Sequence, residues 1–169
     1  MAIAKEMNEV SVSKISWQWL ILATLGFWLS SSLLMDLVIM PVLYSSGMMV
    51  EPGFAVTGYS VFWVFNRIEL LCAALVLTGA FIWRQNQTHQ MAQRSVLLAG
   101  ALLGIVLICT YFLSPQMSGL GLQLNLFDAA QETPAGMGAL HLGYWLLEVV
   151  KLALAGALLV GCLRSLKAA

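Results

Sequence analysis

Five ionisable residues stand inside long apolar runs of this 169-residue chain: Asp36, Arg67, Glu69, Glu148 and Lys151. Each charge costs about 2.5 to 3.5 kcal/mol at the centre of a membrane-spanning helix, so such groups pair with one another or line a route for protons or ions. Helical spacing sorts them. His141, Tyr144, Glu148 and Lys151 fall within an arc of about 80°, and Glu148 and Lys151 can bond along their helix. Asn66 and Glu69 share a face of another helix, whereas Arg67 lies about 160° from Glu69 and must serve a different neighbour. The expected pairs are therefore Arg67 with Asp36, both about 10 Å below one interface, and Lys151 with Glu148 and Glu69. Three carboxylates against two permanent cations leave one acid over. A carboxyl without a partner in a low dielectric keeps a proton, or shares its charge with a protonated His141 or a bound cation. This yields two readings of the cluster: a proton or cation site of Asn66, Glu69, Glu148 and Lys151 that opens through His141 and Tyr144, or polar glue that fixes helix register.

Soft ligands form a second group. Met40, Met48, Met49, Met117 and Met137 fall on one side of the membrane with His141 nearby, and thioethers suit copper(I). Methionine also fills greasy loops, and no spaced Met repeat is present. The only histidines, His89 and His141, belong near opposite surfaces, which excludes a bis-histidine haem within one chain. Otherwise no cofactor is expected. Cys72, Cys109 and Cys162 show no CxxC spacing and read as small buried hydrophobes. No nucleophile elbow, phosphate-binding glycine loop or paired catalytic His/Asp sequence appears, so nothing points to an enzyme.

The elements that position these residues follow from composition. The chain is 60% hydrophobic and 9% charged, with no net charge and a mean hydropathy of +0.87. A soluble domain carries about a quarter charged residues, and a nucleic-acid binder needs a basic patch that is missing here. Four apolar runs are long enough to cross a bilayer as helices: about 17–43, 58–83, 95–113 and 139–162. They do not alternate as barrel strands do. The expected fold is an all-α, polytopic four-helix transmembrane bundle, residues 17–163, with tails at 1–16 and 164–169. Lys5 and Lys14 followed by an apolar run resemble a secretory signal with Ser30, Ser31 and Ser32 at the cleavage site, but the run resumes at Leu33 and reads as an uncleaved anchor. Trp17, Trp19, Tyr59, Trp63, Trp83, Tyr111, Phe112, Tyr144 and Trp145 mark interfaces.

Orientation comes from the basic residues outside the spans. Lys5, Lys14, Arg84, Arg94, Arg164 and Lys167 occupy the tails and the 84–94 loop, whereas the other two loops have none. This bias places both termini in the cytoplasm of a bacterial plasma membrane, or of a thylakoid membrane in a photosynthetic source. The 114–138 connection is longer than a helical link requires. Its Leu120, Leu122, Leu124 and Leu126 alternate with polar or small residues, which predicts a short strand or extended segment over the bundle, followed by a turn-rich stretch. Small residues permit close helix approach in lipid, so Gly100 and Gly104 are expected to meet Ala153, Ala157 and Gly161.

The polar second span with Phe65-Asn66-Arg67-Ile68-Glu69, and a fourth that opens with Leu140-His141 and runs on to Tyr144, Glu148 and Lys151, resemble a bacterial four-helix membrane family of unknown function. That family is related to eukaryotic transmembrane protein 205. The resemblance spans about residues 17–161 and implies a small integral membrane protein with a lean toward metal or solute handling. Two functions are expected. The first is an accessory or scaffold subunit of a larger membrane assembly, in contact with lipid and with a membrane-protein partner or a second copy. The alternative is a small transporter or sensor for protons or a metal cation, copper included, acting through the intramembrane carboxylates.

Overall fold

The structure, a computed structural model, describes residues 2–46, 54–84, 89–127 and 136–168. They form four long helices. Helix α1 runs through Ala2–Leu34, a π-helical turn at Met35–Ile39, and Met40–Ser45. Helix α2 is Phe54–Arg84. Helix α3 joins His89–Ile108, a second π-helical turn at Cys109–Leu113, and Ser114–Phe127. Helix α4 is Met137–Ala168. All four contain segments long and apolar enough to cross a membrane: Trp17–Leu43, Val56–Arg84, Ala92–Leu120 and Met137–Lys167. The protein is an all-α membrane protein.

Each helix packs on its neighbours in sequence and α4 closes onto α1, so the four stand in a ring. Short connections make neighbours antiparallel. Both chain ends therefore lie at one end of the bundle, the terminal end, and the links α1–α2 and α3–α4 at the other, the loop end. The half nearer the termini has an apolar core of Ile21, Leu25 and Trp28 from α1, Val76 and Ala80 from α2, Leu102 and Val106 from α3, and Leu158 and Cys162 from α4. In lipid such a core gains nothing from leaving water, so its contribution is close contact between helices.

The small residues that achieve this contact are not the expected ones. Gly100, Ala153, Ala157 and Gly161 face outward and Gly104 is only half-buried; a Cβ built on any of the three glycines would meet nothing within 4 Å. The inward faces are instead Ala99, Leu102 and Val106 on α3 and Ala155, Leu158 and Cys162 on α4. Close approach occurs at Gly79 of α2, where a Cβ would stand 2.6 Å from Cγ1 of Ile21. Three buried cysteines, Cys72, Cys109 and Cys162, are free thiols.

One further expectation fails for a physical reason. Residues 114–127 continue α3 as helix instead of forming a strand. An existing helix adds residues without a new nucleation cost, and leucine and glutamine favour it, which outweighs a period-2 pattern of seven residues. Of the turn-rich stretch expected over 128–138, residues 128–135 fall outside the described residues, Gly136 is in a turn, and Met137 and Gly138 already belong to α4. The N-terminal segment is helix from Ala2 onward, continuous with the span. At the start of α4, Gly136 takes φ of 96°, a conformation that only glycine adopts cheaply, and its carbonyl accepts from the N–H of Leu140.

The two π turns share a cause. Met35–Ile39 lies two residues before Pro41, and Cys109–Leu113 lies two residues before Pro115. A proline inside a helix has no N–H to donate, and its ring collides with the carbonyl four residues back. Widening the preceding turn relieves that collision. The bonds Met40 N–H to Met35 O and Ser114 N–H to Cys109 O are the resulting i to i−5 links. Both helices thus continue through their prolines, and each widened turn places a polar residue, Asp36 or Thr110, at its second position.

Candidate functional site

Above the apolar core, toward the loop end, the bundle interior turns polar. Ser32 and Asp36 come from α1, Asn66 and Glu69 from α2, and Glu148 and Lys151 from α4, all buried. On α1 the residues Trp28, Ser32 and Asp36 recur every fourth position, one stripe that faces α2 and α4. On α2 the stripe is Asn66, Glu69, Ala73, Val76 and Ala80, all buried.

Glu69 is the anchor. Its Oε1 accepts from the indole Nε1 of Trp28 at 3.0 Å, from the hydroxyl of Ser32 at 3.1 Å, and from Lys151 Nζ. Three donors converge on this one oxygen, two of them neutral and one a cation, the kind of pairing by which buried charge is tolerated. Lys151 Nζ also pairs with Glu148 Oε2 at 2.7 Å along α4. Lysine thus bridges two acids from two helices, as the spacing predicted.

The rest of the cluster is less complete. Asp36 approaches Glu148 within side-chain hydrogen-bonding reach, yet Oδ2 of Asp36 and Oε1 of Glu148 are buried without a donor. Asn66 donates through Nδ2 to the Ser114 hydroxyl at 2.7 Å, while its Oδ1 is unpartnered, as is Oγ1 of Thr110. Native proteins satisfy the great majority of buried polar atoms, so a concentration of orphans in one layer sets it apart from the rest of the interior. Tyr144 stands beside this layer, near enough to feel the charges of Glu148, Glu69 and Asp36, with its ring edge-on to Phe62 at 6.0 Å. Cys109, from the π turn of α3, also lies within electrostatic reach of Lys151 and Glu148.

Arg67 does not join Asp36. Among the described residues, both ion pairs belong to Lys151, and Arg67 is exposed with its guanidinium 4.9 Å from the centre of the Trp63 ring. Helix geometry explains the correction. Once Glu69 takes the interior, a residue about 160° away must point out of the bundle. His141 is also outside the cluster: its ring is exposed and its Nδ1 lies 3.1 Å from the carbonyl oxygen of Met137.

Of the methionines, Met40, Met117 and Met137 are half-buried, and Met48 and Met49 fall outside the described residues. Among the described residues no group of three or more His, Cys, Asp or Glu side chains is placed to hold a metal ion. Sequence reasoning missed Trp28, Ser32, Ser114, Cys109 and Thr110. The signal for the first two was present in the four-residue spacing of Trp28, Ser32 and Asp36. The others depend on the π turn and on the extension of α3 past Leu113. No family model matches the chain, and neither a curated protein nor a solved structure matches it.

Proposed function

We propose that this chain is a proton-responsive membrane subunit whose Asp36–Glu148 pair binds one proton from the loop side. One observation carries the reading: two neighbouring carboxyl groups each keep a buried oxygen with no donor. A proton held between them supplies the donor that both lack, since two carboxyl groups hydrogen-bond only when one is protonated. Charge balance agrees. Three buried carboxylates with one lysine leave two negative charges uncompensated in a dry interior, and one bound proton halves that excess.

The layout favours a sensor or coupling element over an open proton conduit. Toward the termini the path meets Trp28, Leu25, Val76, Leu102, Val106 and Leu158, all at most 3% exposed, and among the described residues no carboxyl, amine, amide or hydroxyl side chain is buried on that side. With both termini cytoplasmic, as the basic residues imply, the proton comes from the opposite compartment. A bacterial plasma membrane, or a thylakoid membrane, carries a proton gradient for such an element to read. The accessory-subunit reading is compatible and rests on a separate observation: the small residues Gly100, Ala153, Ala157 and Gly161 face away from the bundle, as they do on helices that dock on other helices. The likeness to the four-helix family related to transmembrane protein 205 belongs to this proposal through Asn66, Glu69, Tyr144, Glu148 and Lys151.

The test uses protein reconstituted in sealed vesicles in a known orientation. Stepping the pH on the loop side changes tryptophan emission, because Trp28 is bonded to the cluster through Glu69; stepping it on the terminal side does not. Glu148→Gln, which mimics the protonated acid, responds to neither. A response from the terminal side, or an unchanged response in the variant, refutes the proposal.

A further inference from the structure

Outside the carboxyl cluster, α2 and α3 leave a cleft of about 140 Å³ lined by Tyr59, Trp63, Asn66, Arg67, Thr110 and Tyr111 among others. We infer that this cleft binds the head group of an anionic phospholipid that carries hydroxyl groups, of the phosphatidylglycerol type. Three features lead there. Arg67 is a permanent cation exposed on the membrane-facing side, well inside a span, where an uncompensated charge is costly. Helical side chains lean toward the N-terminus of their helix, which for α2 is the loop end. Arg67 therefore lies back over Trp63, one turn nearer the interface, and directs its guanidinium toward the lipid head groups. Planar guanidinium suits a phosphate through paired N–H bonds.

The hydroxyl requirement comes from the cleft wall. Asn66, 2% exposed, keeps Oδ1 without a donor, and Thr110 keeps Oγ1 without a partner. A ligand that satisfies Asn66 must donate a hydrogen bond, which a phosphate diester cannot do and a glycerol hydroxyl can. Tyr59, Trp63 and Tyr111, all exposed, give amphipathic walls against which the upper acyl chain and glycerol backbone pack. A second copy of the chain is a poor occupant. Every described acid within the spans, Asp36, Glu69 and Glu148, is buried, so a copy has none to offer to Arg67.

Protein purified in mild detergent and analysed by native mass spectrometry, with thermal unfolding in parallel, decides this. Added phosphatidylglycerol is retained and raises the unfolding temperature, whereas phosphatidylcholine at the same concentration does neither. Arg67→Gln lowers retention about tenfold, the equivalent of one charge-assisted hydrogen bond, and Thr110→Val lowers it less. Arg67→Gln without lipid unfolds at the wild-type temperature, because the side chain is exposed. Inorganic phosphate alone gives no stabilisation; if it stabilises as much as the lipid, the site takes a free anion and the inference fails. Equal retention of both lipids, unchanged retention in Arg67→Gln, or a co-purifying membrane helix that occupies the cleft instead of lipid also overturns it.

Discussion

Replacing Lys151 by methionine removes the single cation from a layer of three buried carboxyl groups. The structure sets the size of the loss. Lys151 Nζ serves Glu69 Oε1 and Glu148 Oε2 at once. Glu69 keeps two neutral donors after the change, Trp28 at 3.0 Å and Ser32 at 3.1 Å, but Glu148 loses the cation on Oε2, and the one proton it shares with Asp36 still leaves a negative charge buried on that pair. Breaking a buried pair by deleting one partner costs about 3 to 5 kcal/mol, chiefly because the remaining charge stays buried. That corresponds to about two to three and a half orders of magnitude in the unfolding equilibrium. The assay is unfolding in mixed micelles with increasing dodecyl sulfate, followed by helical circular dichroism. Glu148→Gln should be far milder, about 1 kcal/mol or less, because its amide still accepts from Lys151 and now donates to Asp36. The triple variant Glu69→Gln/Glu148→Gln/Lys151→Met should recover most of the loss, since no unpaired charge from the triad remains. The reasoning is refuted if Lys151→Met unfolds with the wild-type midpoint, or if the triple variant is no more stable than Lys151→Met alone.

Further outcomes follow from individual contacts. Trp28→Phe keeps the ring and removes the indole donor to Glu69, so the midpoint of the same titration should fall by about 1.5 to 3 kcal/mol, the worth of a hydrogen bond to a charged group. Ser114→Ala leaves the Asn66 amide without its acceptor and should cost about 1 to 3 kcal/mol; an unchanged midpoint would show that the Asn66 contact contributes nothing. Gly79→Ala drives a methyl into Ile21 and should cost about 1 to 3 kcal/mol, and adding Ile21→Ala should make the glycine substitution nearly neutral in a double-mutant cycle. Pro41→Ala removes the cause of the first π turn, and site-directed spin labels on α1 should report a rotation of the residues beyond Met40 relative to α2.

Much of this architecture was legible in the residues because the bilayer imposes a simple rule: backbone polar groups must be satisfied within the chain, so long apolar runs are helices. The pairing of Lys151 with Glu148 and Glu69 was legible too, since a 3.6-residue repeat and depth below the interface fix which side chains can meet. What escaped had specific causes. The third span was expected to stop at residue 113, yet π turns carry α1 through Pro41 and α3 through Pro115 and place Asp36 and Thr110 at the polar layer. Small residues at four-residue spacing identify faces capable of close approach without saying which helix fills them; the bundle uses Gly79 and leaves Gly100 and Ala157 outside. Arg67 was assigned to Asp36 by depth alone, although its angle to Glu69 already required it to face outward.

The central claim is that Asp36 and Glu148 hold one proton between them. Infrared spectroscopy of the lipid-reconstituted protein with isotope-labelled aspartate and glutamate reads this directly. At neutral pH the account predicts a carbonyl band of a protonated carboxylic acid that disappears in both Asp36→Asn and Glu148→Gln, because either amide supplies the missing donor and leaves the remaining acid ionised. A wild-type spectrum without such a band, or a band that survives in both variants, would contradict it.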